Sequence, residues 1–91
     1  MNDAFEWDPG KADANQAKHG ISFEEAATVF ADPLAVWDAD PGHYGGEERL
    51  VAIGMSHRQR LVLVVFTQRD GRIRIISART PTRREARAYE G

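Results

Sequence analysis

Residues 61–66 read LVLVVF, an apolar run without interruption. A strand that is apolar on both sides is covered on both faces or lies in the middle of its sheet, so the run predicts a central strand over residues 61–67. Residues 50–55 and 73–78 are also rich in Val and Ile and predict its two neighbours. The DG pair at 70–71 is a typical hairpin turn, which makes the strands on either side of it antiparallel.

Two shorter segments complete the predicted sheet. Residues 34–38 are partly apolar and predict a fourth strand. Residues 58–60 fall between two predicted strands and are interpreted as a tight connection that displays its cations, Arg58 and Arg60, at one rim. The strands together predict an antiparallel meander of three to four strands.

Helix signals precede these strands. An N-cap at Asp8 is followed by proline, and Gly20 comes directly after a cationic turn, so a first helix is predicted over residues 9–19. A capping box at 22–25, with apolar residues at helical spacing, predicts a second helix over 22–31.

A third helix is predicted after the strands. Thr82 and Glu85 have the spacing of a capping box and open a short helix that reaches Tyr89. Two N-terminal helices, an antiparallel meander and a C-terminal helix predict an α+β fold.

The composition leaves room for one small domain. A chain of 91 residues supports a single modest core, so we expect one domain over residues 1–91. There is no cysteine, which excludes a disulfide framework and a thiolate nucleophile. No charged and then apolar N-terminus appears, nor any run of about 18 apolar residues, so we expect a cytoplasmic protein with no membrane partner.

The charges are segregated along the chain. All ten arginines lie in residues 49–91, whereas eleven of the fourteen carboxylates lie in residues 1–48. The halves carry formal charges of +7 and −9, which together give the net charge of −2. Because guanidinium groups bind phosphate or carboxylate bidentately, RNA is the first ligand to consider.

Three separated blocks resemble the BrnT family of ribonuclease toxins. They are FEWDPGKADANQAKHGISF at residues 5–23, GEER at 46–49 with IG at 53–54, and IRIISAR at 73–79 with RRE at 83–85. The resemblance implies a RelE-like fold and RNA cleavage without a metal or other cofactor. It also implies inhibition of translation and growth, and neutralisation by a cognate BrnA-like antitoxin. That antitoxin binds DNA, so the toxin would reach DNA only through it.

Metal-free RNA cleavage uses the 2′-hydroxyl of the substrate as nucleophile, so the protein must supply a base and cations for the phosphate. We predict that Glu48 is the base and that Arg49 and Arg79 stabilise the phosphate. His19 is the alternative proton carrier, because histidine titrates near neutrality. Four further cations are predicted to bind the substrate: Lys18, Arg58, Arg83 and Arg84.

Several of these side chains also have a purely structural interpretation. Lys18 and His19 suit the C-terminus of a helix, where cations compensate the helix dipole. Glu48 fits an ordinary solvated loop before a strand. For Glu85 we favour the structural role, since the capping box already explains it.

Aromatic and acidic residues give weaker signals. Trp7 is predicted to anchor the core or its edge, whereas Trp37 and Tyr44 are candidates for stacking on bases. The loop 38–43 holds two Asp and one His, a set too weak to predict a metal site.

Three classes of function therefore remain open. A ribonuclease toxin would cut RNA in the presence of a chelator. A non-catalytic RNA-binding module would bind RNA more weakly as salt rises and leave it intact. A protein-interaction module would neither bind nor cut RNA.

Overall fold

The computed structural model describes residues 4–40 and 48–91. In chain order the elements are β1 Phe5–Glu6, α1 Pro9–His19, α2 Phe23–Thr28, a 3₁₀ turn Val29–Ala31, β2 Val36–Ala39, β3 Leu50–Met55, β4 Leu61–Arg69, β5 Arg72–Arg79 and α3 Arg83–Glu90. The strand order is β1-β5-β4-β3-β2, with β4 in the centre as the run at 61–66 predicts. The fold is α+β.

The helices begin where their caps predict. Asp8 accepts a hydrogen bond from the Lys11 amide at 2.9 Å, and α1 ends at Gly20 with a left-handed φ of 71°. The second helix is shorter than predicted, because α2 ends at Thr28 and continues only as the 3₁₀ turn. The capping box that opens α3 is confirmed.

The prediction of an antiparallel meander of three to four strands was wrong in two respects. Within residues 4–40 and 48–91 the sheet has five strands, and β1 runs parallel to β5 with Phe5 opposite Ile73. A strand of two residues has no alternation by which a sequence could reveal it. The predicted strand at 34–38 starts later, at Val36, because the Leu34 amide donates to Asp32 Oδ1 in a preceding turn.

The core lies between one face of the sheet and the helices α1 and α2. Its buried members come from the helical layer and from alternate strand positions: Ile21, Phe23, Ala26, Val29, Ala52, Val62, Val64, Phe66, Ile75 and Ala78. Trp7 packs at the edge of this core, with its ring 6.0 Å from that of Phe23. The predicted anchoring role of Trp7 is confirmed.

An ion pair between half-exposed Arg60 and buried Glu25 ties the β3–β4 connection to the helices. Arg60 Nε and Nη2 donate to the Glu25 carboxylate at 2.7 and 2.6 Å, and Nη2 also donates to the Gly20 carbonyl at 3.0 Å. The bond from Arg60 lowers the pKa of Glu25 to about 2. Residues 58–60 form the predicted connection with Arg58 exposed, but the guanidinium of Arg60, with its side chain 40% exposed, turns to Glu25 and is not free at the rim.

Candidate nucleic-acid interface

The sheet face opposite α1 and α2 collects positive charge. Side chains alternate between the two faces of a strand, and the core residues fix which positions face the helices. Among the described residues, the alternate positions on the other side carry Arg69, Arg72, Arg74 and Arg79, and Arg49 precedes β3 in the same alternation. We call this surface with its five guanidinium groups the arginine face: Arg49, Arg69, Arg72, Arg74 and Arg79.

A β-bulge in β5 places Arg74 and Arg79 on the same side. Two consecutive residues of β4 pair with Ile75 and Ser77, which leaves Ile76 as the extra residue. One extra residue reverses the phase of the alternation. Without it, an even-numbered and an odd-numbered arginine would lie on opposite faces of the strand.

A cleft of about 550 Å³ lies on the arginine face between α3 and the sheet. Its floor is apolar and consists of side chains from three strands: Val36, Val51, Ile53, Leu63 and Val65. At one end the cleft is lined by Asp40, whose amide donates to the Arg49 carbonyl at 2.9 Å. At the other end it is lined by Arg79, with Glu85 of α3 beside it.

Arg79 and Glu85 form a bidentate ion pair at the α3 end of the cleft. Arg79 Nη1 and Nη2 donate to the two carboxylate oxygens at 2.8 and 2.9 Å. The bond from Arg79 lowers the pKa of Glu85 to about 2, and the same bond raises the pKa of Arg79. Glu85 also accepts from the Thr82 amide, so its structural role is confirmed. The charge of Arg79 is thus partly compensated by the chain itself.

Glu48 and Arg49 lie at the opposite end of the cleft, where β3 begins. Glu48 is exposed and Arg49 is half-buried, and neither side chain forms an ion pair within residues 4–40 and 48–91. Arg79 stands two strands from Ile53 in register, and Arg49 precedes Ile53 by four residues. Strand geometry then separates the Cα atoms of Arg49 and Arg79 by about 16 Å. The two arginines share a face but do not meet at one point.

Lys18 and His19 lie on the other side of the sheet. They form the last turn of α1, which packs on β5 from the side of the core through Asn15 and Ala78. Lys18 is exposed and His19 is half-buried. Neither lines the cleft, so the structure does not bring His19 to the arginine face.

The other predicted substrate-binding cations lie outside the cleft. Arg58 is exposed in the turn between β3 and β4, where its charge acts on Glu25 of the helical layer. Arg83 and Arg84 are exposed in the first turn of α3, close in sequence to Arg79. These two add positive charge near the α3 end.

Three arginines of this face, Arg69, Arg72 and Arg74, were not among the predicted site residues. Arg74 is half-buried and donates to Glu6 Oε2 at 3.0 Å. Arg69 lies on the same side near the β4–β5 turn. Residue 49 is odd-numbered like Val51 and Ile53 of β3, and residue 69 is odd-numbered like Leu63 and Val65 of β4. This shared alternation is the sequence signal that could have placed Arg69 on the same face.

Trp37 is one of the two aromatic residues predicted to stack on bases. It is 49% exposed, yet its ring lies 5.5 Å from that of Phe30 and 5.1 Å from that of Phe66. It is therefore an edge anchor with one open side. The other candidate, Tyr44, lies outside the described residues, as does His43.

A family comparison agrees with this arrangement of charge. The family described as the ribonuclease toxin BrnT of type II toxin-antitoxin systems matches residues 7–85, which include most of the cleft. The chain belongs to the BrnT family. BrnT proteins are ribonuclease toxins, so the chain is an enzyme that acts on RNA, and a type II system supplies an antitoxin partner.

One solved structure similar to this BrnT-family chain is the crystal structure of the ribonuclease toxin BrnT of Brucella abortus. The identity is 25% over 85% of this chain and 94% of that chain, with a TM-score of 0.60. No curated protein sequence matches the chain. Among the described residues, no helix is both long and apolar enough to cross a membrane.

Proposed function

We propose that this chain cleaves RNA on the arginine face without a metal ion, with the RNA lying along the cleft. The supporting observation is that the strand alternation and the β5 bulge put Arg49, Arg69, Arg72, Arg74 and Arg79 on one face of the sheet. A guanidinium group binds two phosphate oxygens at once, and an apolar floor with Arg79 at one end suits the bases and sugars of a single strand.

The proposed chemistry takes place at the Arg49 end. Glu48 accepts the proton of the 2′-hydroxyl, and the 2′ oxygen then bonds to phosphorus. The bond from phosphorus to the 5′ oxygen breaks, and this oxygen takes a proton from water to become a hydroxyl, while Glu48 later returns its proton to the solvent. The products are a 2′,3′-cyclic phosphate and a 5′-hydroxyl. Arg49 stabilises the negative charge that develops on the phosphate in the transition state.

Arg79 has a different task in this proposal. Because it lies about 16 Å from Arg49 by strand geometry, it holds a neighbouring phosphate instead of the one that is cut. Arg83 and Arg84 extend this binding region beyond the cleft, and Arg58 stays a predicted substrate-binding residue. The RNA is therefore cut at the Arg49 end and bound by Arg79 at the other end.

The proposal is tested with the purified chain and single-stranded RNA in EDTA. We expect fragments that end in a 2′,3′-cyclic phosphate. Arg49→Ala should lower the cleavage rate about 30- to 1,000-fold, equivalent to about 2 to 4 kcal/mol of transition-state stabilisation. Arg79→Ala should mainly weaken binding. Lys11→Ala, an exposed cation on the helical side, is the matched control and should change neither.

RNA that stays intact at high protein concentration would contradict the proposal that this face cleaves RNA. Salt-sensitive binding without cleavage would favour the non-catalytic RNA-binding module instead.

We also propose that the antitoxin, of the BrnA type, neutralises the chain by covering the arginine face with acidic or apolar residues. The open cleft supports this choice, as does the guanidinium of Arg49, which has no ion pair among the described residues, because complementary charge favours such a partner. Antitoxin and uncleavable RNA should then exclude each other in a competition assay. The RelE-like classification, the inhibition of translation and the contact with DNA through the antitoxin stay predictions.

A further inference from the structure

Asn15 is a buried polar side chain on the inner side of α1. Its amide nitrogen donates to the carbonyls of Ala78 at 2.8 Å and Ile21 at 3.0 Å. Its amide oxygen accepts from the Ala78 amide at 3.0 Å. The side chain thus binds both backbone groups of one β5 residue.

These two bonds take the place of a neighbouring strand. β1 pairs with β5 only at Ile73 and Arg74, so among the described strands no partner reaches the outer edge of β5 at Ala78. Buried backbone groups without partners are costly, and Ala78 is fully buried. Asn15 satisfies both groups from the helix, as a strand residue would.

Ala78 lies between the bulge and the arginine. After Ile76 the strand has only two residues before Arg79. A bulge bends its strand and disrupts the ladder locally, so this short end needs a second attachment to keep its direction. Since neighbouring side chains alternate, holding Ala78 toward the core holds Arg79 toward the cleft.

We propose that Asn15 is a positioning residue for Arg79: by clamping Ala78 it keeps the Arg79 guanidinium aimed into the cleft for RNA. The inference rests on the proposed function, in which Arg79 holds a phosphate. It assigns a role in RNA binding to a side chain that never touches the RNA.

A double-mutant cycle tests the link. Binding is measured with 2′-O-methyl RNA, which lacks the nucleophile and cannot be cut. If Arg79→Ala weakens binding about tenfold, Asn15→Ala should weaken it several-fold, and the double variant should bind about as weakly as Arg79→Ala alone, because the two changes remove one interaction. The pair Asn15→Ala and Arg49→Ala should instead be additive, since Arg49 lies far along the face from Arg79, the residue that Asn15 positions.

A purely structural role for Asn15 would give different results. Each phosphate of a single strand that the protein neutralises contributes about 0.7 to the slope of binding against salt concentration. We expect Asn15→Ala and Arg79→Ala to reduce this slope by the same amount. Phe66→Leu, a fully buried core change, is the matched control and should lower the melting temperature without changing the slope.

The outcomes separate the two proposals. If Arg79→Ala binds RNA like the unchanged chain, the role of Arg79 in the proposed function is overturned. If Arg79→Ala weakens binding but Asn15→Ala is additive with it or leaves the salt slope unchanged, only the positioning role is overturned.

A measurement on the unchanged chain covers the case in which Asn15 variants do not fold. Hydrogen exchange should show the Ala78 amide as well protected as that of Ile75 in the middle of β5. Exchange at Ala78 as fast as in an exposed segment would mean that the clamp is open in solution, and the inference would fail.

Discussion

Glu85 occupies the guanidinium fork of Arg79 with both of its carboxylate oxygens, at 2.8 and 2.9 Å. A phosphate that binds Arg79 bidentately would need the same nitrogens. The chain therefore carries, within α3, a carboxylate that competes with the ligand proposed for this arginine.

Glu85→Gln should strengthen the binding of uncleavable RNA and weaken the fold. Glutamine keeps the hydrogen-bonding pattern of a capping box but removes the negative charge beside the phosphate. We expect binding to tighten about three- to tenfold, since an ionised partner contributes about 1 kcal/mol or more. Fluorescence anisotropy and thermal unfolding measure the two effects.

Glu90→Gln is the matched control for Glu85→Gln, because it makes the same charge change in the same helix at an exposed position. It should leave affinity nearly unchanged. Equal tightening by both variants would show that net charge, and not the pairing with Arg79, limits binding.

Glu48→Gln and His19→Gln should differ sharply in cleavage. Glu48 lies beside Arg49 at the start of β3, whereas His19 lies on the helical side of the sheet. Loss of a general base lowers the rate about 10²- to 10⁴-fold, so we expect that loss for Glu48→Gln and a change under about threefold for His19→Gln. Single-turnover cleavage in EDTA measures both.

Glu24→Gln, an exposed carboxylate on the helical side, is the control for this comparison and should cut RNA normally. A large loss for His19→Gln with little effect at Glu48 would move the reacting centre to the other side of the sheet.

Much of the fold could be predicted because its signals are local. The cap at Asp8, the left-handed Gly20 and the capping box at Thr82 each depend on a few neighbouring residues, and all three are confirmed. The central strand followed from the apolar run at 61–66. The strand β1 has only two residues and gains its place from pairing with β5, which no local pattern records.

The candidate site was harder to predict because it depends on which face of the sheet each strand side chain occupies. Sequence spacing shows that arginines concentrate in one half of the chain, but a bulge at Ile76 decides that Arg74 and Arg79 share a face. The same spacing could not show that Arg60 pairs with Glu25 or that His19 lies on the helical side of the sheet. These placements are set by tertiary contacts between distant residues.

The ion pair between Glu25 and Arg60 predicts a loss of stability in acid. The bond from Arg60 lowers the pKa of Glu25 from 4.5 to about 2 in the folded chain. A lowered carboxylate pKa stabilises the fold above the unfolded value, and this contribution is lost as the pH falls from about 4.5 to about 2. For a carboxylate that is only 2% exposed, the loss should be about 2 to 3 kcal/mol.

Urea unfolding at several pH values measures this contribution. Glu25→Gln should be less stable than the unchanged chain at pH 7, and the difference should shrink toward pH 2.5. Glu24→Gln serves again as the exposed control and should keep the original pH dependence. A constant difference in stability between Glu25→Gln and the unchanged chain at every pH would contradict the assigned cause.

Glu85, whose pKa is also about 2, contributes in the same pH window. The free energy of unfolding of Glu25→Gln should therefore still depend on pH there.

Gly54→Ala should destabilise the fold without disabling the arginine face. Gly54 is a buried residue of β3 on the core side, and an added Cβ would lie 2.9 Å from Val29 Cγ1 and 3.0 Å from Ala35 Cβ. Overpacking of this kind costs about 1 to 3 kcal/mol. We expect a lower melting temperature but normal RNA cleavage well below that temperature, because the crowded contacts lie on the helical side of the sheet.

Val29→Ala removes one of the two close approaches, so the double variant should be destabilised by less than the sum of the single effects. Strict additivity would show that the crowding at Gly54 does not involve Val29.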